Sequence, residues 1–137
     1  MGSAAQPRKV LIIEDEPAIR NVLFVLLAGG GCEGHVAYDV RQGLGMIQRG
    51  SFDAVLLDLR STNMPPADEI IPAITKLRPS LVGRVLIITG EVADPETLGT
   101  LERYALPHVP RSKIISDLWN HLRSLAGFTE SHAGSTP

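Results

Sequence analysis

The sequence predicts a single α/β domain built on a doubly wound, parallel β-sheet. Five short apolar runs alternate along the chain with five stretches whose apolar residues recur at helical spacing. Uniformly apolar strands separated by helices are typical of a parallel sheet that helices cover on both faces. The chain has 137 residues, the size of one ordinary domain. Right-handed crossovers make such a sheet doubly wound, with ligands bound at the carboxyl ends of its strands.

The five predicted strands are the apolar runs themselves. In chain order they cover residues 9–13, 35–37, 54–57, 85–88 and 107–109. Acids end the first strand, the third closes on Asp58, and the fourth ends at Thr89 and Gly90. The fifth run is the weakest strand candidate.

Capping residues locate the first two helices. Pro17 suits a first helical turn, and the glycines at 29–31 stop the helix that begins there. Asp39, with Gln42 three residues later, forms a variant of the capping box that opens the second helix. That helix is expected to run to Arg49.

The other three helices have similar signals. The third is predicted over about residues 69–77, with Pro72 in its first turn. Asp94 is the predicted N-cap of the fourth helix, and a proline follows it directly. The fifth has apolar residues at helical spacing over 115–125, with Ser112 as a possible cap.

Composition narrows the class of protein. Hydrophobic residues make up 44% of the chain and charged residues 20%, which is near the average for globular proteins. No apolar run approaches the roughly 18 residues of a membrane span, and the N-terminus is too polar for a signal peptide. Thirteen basic and fifteen acidic residues argue against non-specific binding of nucleic acid. We therefore expect a cytoplasmic domain with neither membrane nor nucleic acid as a direct partner.

The chain is predicted to hold one folded domain over residues 8–126. Its ends, 1–7 and 127–137, are small and polar, so they are expected to be disordered, and the second is a tail or a cut linker. Cys32 is the only cysteine, which excludes an internal disulfide and a multi-cysteine metal site.

Three acids follow neighbouring strands of the predicted sheet. Glu14 and Asp15 come directly after the first strand, and Asp58 ends the third. We expect the three carboxylates to converge on one edge, where like charges destabilise one another unless a cation lies among them. Oxygen ligands in a partly hydrated site suit Mg²⁺, which uses one or two carboxylates plus phosphate oxygens. The alternative interpretation is that these are solvated acids at strand ends.

A hydroxyl and a fixed positive charge complete the predicted site. Thr89 ends the fourth strand and Gly90 leaves room for backbone approach, while Arg111 follows the fifth strand. A metal, a hydroxyl and a cation around one carboxylate are the groups that stabilise a phosphoryl group during in-line attack.

The sequence resembles the receiver domain of two-component response regulators over about residues 9–126. The matching segments are residues 10–17 (VLIIEDEP) with Ile19 and Arg20, residues 52–59 (FDAVLLDL) and residues 87–90 (IITG). The resemblance implies a flavodoxin-like fold with strand order 2-1-3-4-5. It also implies a signalling domain rather than an enzyme, which takes a phosphoryl group from a histidine kinase or phosphotransfer protein.

The resemblance assigns a role to each residue of the predicted site. Asp58 matches the phosphoacceptor. Glu14 and Asp15 match the acidic pair that holds Mg²⁺, with Asp58 and the main-chain carbonyl of Arg60 as further ligands. Thr89 matches the hydroxyl that moves to bond the phosphoryl oxygen.

The clearest departure from the family follows the fifth strand. Arg111 and Ser112 stand where a Lys-Pro pair is usual. Arginine keeps the positive charge of lysine, but it is longer, planar and different in its hydrogen bonding. We predict that Arg111 takes the catalytic role of the lysine, with Lys113 as the rival cation.

Two further departures flank the acceptor. About three extra residues, within 60–63, precede Met64 and lengthen the loop after Asp58. His108 stands where an aromatic switch residue is usual, although it also suits an edge-strand histidine with no switching role. Arg60 and Glu91 lie two residues beyond Asp58 and Thr89, and they are hypothesised to pair across the site.

Three functions are compatible with these residues. The first is a phosphorylated switch in which Thr89 moves inward and a downstream protein reads the altered face that carries His108. The second is a degenerate receiver that acts as a phosphorylation-independent interaction module, favoured by the missing lysine and the longer loop. The third, an aspartyl phosphatase, is disfavoured because Arg60 stands where a second acid is needed. The sequence does not predict the oligomeric state.

Overall fold

The structure is a five-stranded parallel sheet with helices on both faces. The computed structural model describes residues 7–60, 64–90 and 94–125. The strands are β1 (Arg8–Ile13), β2 (Cys32–Ala37), β3 (Ala54–Asp58), β4 (Val85–Thr89) and β5 (His108–Pro110). The helices are α1 (Pro17–Gly29), α2 (Val40–Arg49), α3 (Ala67–Leu77), α4 (Pro95–Arg103) and α5 (Ile114–Arg123), with short 3-10 turns at Pro79–Leu81 and Arg111–Lys113. All strand pairs are parallel, in the order β2-β1-β3-β4-β5, which confirms the predicted fold class.

Apolar side chains fill two layers, one on each face of the sheet. Successive residues of a strand point to opposite faces. Ile12 and Leu56 therefore join the core beneath α1 and α5, while Leu11 and Leu57 join the core beneath α2, α3 and α4. Because β1, β3 and β4 are covered on both faces, their side chains are apolar except at the strand ends.

The register brings the carboxyl ends of four strands to one edge of the sheet. Ile13 pairs with Leu57, Asp58 with Ile88, and Thr89 with Pro110. The Glu14 N–H also donates to the Ala37 carbonyl at 3.1 Å, which extends the β1–β2 pairing by one residue. The sheet itself thus fixes the backbone of the acids that follow β1 and end β3.

The structure confirms the predicted helix caps of α2 and α4. Asp39 accepts a hydrogen bond from the Gln42 N–H at 2.7 Å, and Gln42 Oε1 accepts one from the Tyr38 N–H at 2.7 Å. Asp94 accepts from the Thr97 N–H at 3.0 Å. Both helices therefore begin where a side chain replaces the missing backbone acceptor.

Three element boundaries differ from the sequence prediction. Strand β2 begins at Cys32, since an edge strand requires backbone pairing, here Arg8 with Cys32, more than an apolar pattern. Helix α3 begins at Ala67, which places Pro72 in its second turn rather than its first. Lys113, not Ser112, occupies the N-cap position of α5, because a 3-10 turn precedes that helix.

Helices α1 and α5 meet near the opposite edge of the sheet. A Cβ atom at Gly30, which directly follows α1, would overlap the indole ring of Trp119 on α5. Glycine is required at this position by the close approach of that ring. Within the described part of the chain, no helix is both long and apolar enough to cross a bilayer.

Candidate phosphoacceptor site

Two completely buried acids lie at the carboxyl ends of the central strands. Glu14 follows β1, Asp58 ends β3, and both have a relative exposure of 0%. Burying a carboxylate costs free energy unless hydrogen bonds or opposite charge compensate for the lost water. Arg111, from the turn after β5, supplies that charge. We call Glu14, Asp58 and Arg111 the carboxylate pocket.

Both oxygens of Asp58 accept hydrogen bonds from described residues. Oδ1 accepts from the backbone N–H of Arg60 at 2.8 Å. Oδ2 accepts from Nη2 of Arg111 at 2.5 Å. One donor is therefore fixed by the chain, while the other belongs to a side chain that is able to move.

The guanidinium of Arg111 contacts three acids. Besides Asp58, its Nη1 donates to Glu16 Oε1 at 2.7 Å, and its Nη2 lies 3.9 Å from Glu14 Oε2. Burial by itself lowers the pKa of Arg111, but the hydrogen bond to Asp58 and the charges of the three acids outweigh it and raise the pKa. Arg111 thus brings a permanent positive charge into the pocket.

Glu14 and Arg111 each have a buried polar atom, Oε1 and Nε, without a hydrogen-bond partner among the described residues. The other carboxylate oxygen of Glu14, Oε2, accepts from the Glu16 N–H at 3.1 Å. Burial raises the pKa of Glu14 from 4.5 to about 8, and the adjacent Asp58 carboxylate adds to the rise. The Glu16 N–H and Arg111 oppose this shift only in part. The pocket therefore has capacity for further positive charge.

The acids fit a divalent cation in part. Within the described ranges, no three histidine, cysteine, aspartate or glutamate side chains are gathered closely enough to hold a metal ion. The structure brings Glu14 and Asp58 together around Arg111, whereas the metal-binding role of Asp15 stays a prediction. Two carboxylates, the unpartnered Glu14 oxygen and the Arg60 carbonyl still suit Mg²⁺, which typically keeps waters or phosphate oxygens as its other ligands.

Thr89 and Arg60 lie beside the acceptor. Thr89 ends β4, next to the strand that carries Asp58, and is 4% exposed. The stem of Arg60 covers Gly90, since a Cβ atom there would lie 3.1 Å from Arg60 Cδ. Arg60 therefore crosses from the end of β3 to the end of β4. Its hypothesised partner, Glu91, lies outside the described residues, as do residues 61–63 of the lengthened loop.

His108 and Lys113 lie outside the carboxylate pocket. His108 is half-buried in β5 and lines a shallow groove with Leu98 and Leu106, between α4 and β5. Lys113, the rival cation, is exposed at the start of α5. Of the two cations, it is Arg111 that contacts Asp58.

Sequence analysis missed Glu16, the residue that anchors Arg111. Glu16 was passed over because it stands at the N-cap position of α1 rather than in the acidic pair before it. The available signal was a third acid directly after that pair, at the edge of the sheet where the positive charge of Arg111 was expected. Finding it would have required pairing Glu16 with Arg111, an opposite charge 95 residues away in the sequence.

Comparisons with solved structures identify the fold. A response regulator receiver domain from Methanospirillum hungatei has a TM-score of 0.69 and 21% identity, over 85% of this chain and 94% of the other. A response regulator from Burkholderia pseudomallei, solved with a phosphorylated aspartic acid, calcium ion and citrate, has a TM-score of 0.72 and 19% identity, over 88% and 67%. The receiver domain of the Arabidopsis thaliana histidine kinase CKI1 has a TM-score of 0.71 and 18% identity, over 85% and 87%.

Comparisons of the sequence alone give no match. No protein-family model matches the chain, and no curated protein is significantly similar to it. At identities near 20%, the likeness to solved structures establishes the architecture, not the chemistry. The chain has the fold of response-regulator receiver domains.

Proposed function

We propose that the chain is a phosphoacceptor receiver domain, in which Asp58 takes a phosphoryl group from a histidine kinase or phosphotransfer protein. The observation that carries the proposal is the buried Asp58, bonded at each oxygen and set beside Glu14 and Arg111. It lies at the strand ends where doubly wound sheets bind ligands. The phosphorylated aspartic acid in one structure of the same fold supports this chemistry.

The two hydrogen bonds of Asp58 select the attacking oxygen. The Arg60 N–H is fixed by the backbone, so Oδ1 stays bonded, and Oδ2 becomes available when Arg111 shifts. Oδ2 attacks the phosphorus of the donor phosphohistidine in line. The new P–O bond forms as the P–N bond breaks, and the imidazole keeps the electron pair and takes up a proton.

Positive charge and a hydroxyl then stabilise the phosphoryl oxygens. The Arg111 guanidinium is long enough to follow Oδ2 onto the phosphoryl group, with Thr89 as the second donor. Glu14, Asp15, Asp58 and the Arg60 carbonyl would hold Mg²⁺, which would supply positive charge to neutralise the equatorial oxygens. We further propose that inward movement of Thr89 shifts the surface of α4, β5 and α5 that carries His108, where a partner protein binds.

The second candidate function is a phosphorylation-independent interaction module. The observation that favours it is the ion pair between Arg111 and Asp58, in which the guanidinium already occupies Oδ2 without a phosphoryl group. On this hypothesis the pocket is a structural ion pair and the surface near His108 binds its partner constitutively.

Phosphorylation by a small donor separates the two functions. The chain is incubated with acetyl phosphate and Mg²⁺ and its intact mass is measured, beside Asp58→Asn and the matched control Asp117→Asn on α5. We expect the wild type and the control to gain one phosphoryl group and Asp58→Asn to gain none. Absence of any gain in the wild type, with acetyl phosphate and with a phosphorylated histidine kinase, would support the interaction module instead.

A further inference from the structure

Arg111 places its positive charge beside both buried acids. Its Nη2 atom is 2.5 Å from Asp58 Oδ2 and 3.9 Å from Glu14 Oε2. A magnesium ion sits at about 2.1 Å from its ligand oxygens. An ion bound through Asp58 Oδ2 would share that oxygen with the guanidinium, so the two positive charges would oppose each other.

Glu16 holds the guanidinium in that position. Its Oε1 accepts from Nη1 of Arg111 at 2.7 Å, while its backbone N–H donates to Glu14 Oε2 at 3.1 Å. The planar fork of arginine thus bridges Glu16 and Asp58 with two different nitrogen atoms. A lysine has one nitrogen on a shorter stem and is not suited to bridge both acids.

The pocket is nevertheless not saturated by its arginine. Glu14, Glu16 and Asp58 surround one guanidinium, and the buried Oε1 of Glu14 has no partner among the described residues. This spare oxygen is a ligand position that Arg111 leaves unused. A divalent metal ion is thereby able to bind at the pocket, but its binding is opposed by the positive charge of Arg111, which Glu16 holds in place.

We propose that Arg111, held by Glu16, is a tethered cation whose positive charge opposes the binding of a divalent metal ion to Glu14 and Asp58. Glu16 and Arg111 then set the metal affinity of the pocket, with Glu16 as a positioning residue that acts through the arginine. The inference rests on the proposed function in that it concerns the same carboxylates. Its test is metal affinity without a phosphodonor, so either idea is able to fail alone.

The decisive variant is Glu16→Gln, because two explanations predict opposite signs. It removes a negative charge near the pocket, and by simple attraction it should weaken Mg²⁺ binding. If Glu16 anchors a competing cation, its loss instead tightens Mg²⁺ binding, by about threefold, the worth of one partly exposed ion pair. Titration calorimetry of the whole chain with Mg²⁺, repeated with Mn²⁺, measures the dissociation constant.

Charge-matched variants isolate the bridging geometry. Arg111→Lys keeps the net charge and is expected to tighten Mg²⁺ binding, also by about threefold, since lysine does not bridge Glu16 and Asp58. Arg111→Gln is expected to have a larger effect than Lys113→Gln, which removes the same charge two residues away. Glu102→Gln, on an exposed residue at the far end of α4, is the control for Glu16→Gln and should not tighten binding.

Three differences from the expected affinities would each overturn the inference. They are weaker or unchanged Mg²⁺ binding in Glu16→Gln, an unchanged constant in Arg111→Lys, and equal effects of Arg111→Gln and Lys113→Gln. Failure of every variant to bind either metal would overturn it as well, whereas failure of acetyl phosphate to modify Asp58 would bear on the proposed function alone. Circular dichroism melts establish that each variant is folded before it is titrated.

Discussion

The interior of the sheet and the carboxylate pocket are built from the same strands, yet burial has opposite consequences in the two regions. In β3, Leu57 belongs to the apolar core and Asp58, the next residue, belongs to the pocket; Ile13 and Glu14 divide in the same way at the end of β1. Burial of the leucine removes apolar surface from water and stabilises the fold. Burial of the acids removes charge from water, which destabilises the fold unless cations compensate. Stability and reactivity are thus separated by a single peptide bond.

The largest expected effect on stability comes from the interior. Leu56 is completely buried in the central strand, and Leu56→Ala should lower the free energy of unfolding by about 3 kcal/mol through lost burial and a cavity. Urea denaturation measures the loss, with Leu98→Ala, at a residue 43% exposed, as a control expected to change little. Slower phosphorylation of the folded fraction of Leu56→Ala would contradict the separation of the two regions, since the core would then contribute to reactivity directly.

The second effect is the pH dependence of the free energy of unfolding that burial of Glu14 causes. The pKa of Glu14 is raised from 4.5 to about 8 in the folded chain, so the folded state binds this proton more tightly than the unfolded state. The stability that this proton provides is complete below pH 4.5 and is lost as pH rises through about 8. Glu14→Gln carries no proton to lose, so its stability relative to the wild type should increase by more than about 1 kcal/mol over that range.

Chemical denaturation from acid to mildly alkaline pH, in a chelator, measures this difference. A matched Glu102→Gln variant, altered on an exposed acid, should follow the wild type at every pH. A parallel dependence in Glu14→Gln and the wild type would contradict the assignment of this pH dependence to Glu14.

The smallest expected effect on stability lies at the boundary between the two regions. Thr89 is 4% exposed at the end of β4, and Thr89→Val keeps its shape while removing the hydroxyl. We expect a change of less than about 1 kcal/mol in the free energy of unfolding, the usual range for one hydrogen bond. The response to beryllofluoride, a phosphoryl mimic, should be lost in amide NMR spectra around His108. A full response in Thr89→Val would remove the switching role from this residue.

The sequence predicted the parts of the fold that the core dictates. Strands β1, β3 and β4 are contiguous apolar runs, and their order and direction follow from the helices between them. Boundaries set by local backbone geometry were less accurate, as at Cys32, whose pairing with Arg8 of β1 extends the strand beyond its apolar run. In the pocket, Glu14, Asp58 and Arg111 were predicted to lie together and do so. Glu16 was missed because its partner comes from a distant loop, and no local pattern signals such a contact.

The contact between Gly30 and Trp119 has a practical consequence. Trp119 is the only tryptophan of the chain, and its ring packs against the end of α1, near the edge of the sheet that faces away from Asp58. Its fluorescence emission therefore reports on whether α1 and α5 are packed together. Unfolding of the helical layer is thus observable through one natural fluorophore, without a label attached near the carboxylate pocket.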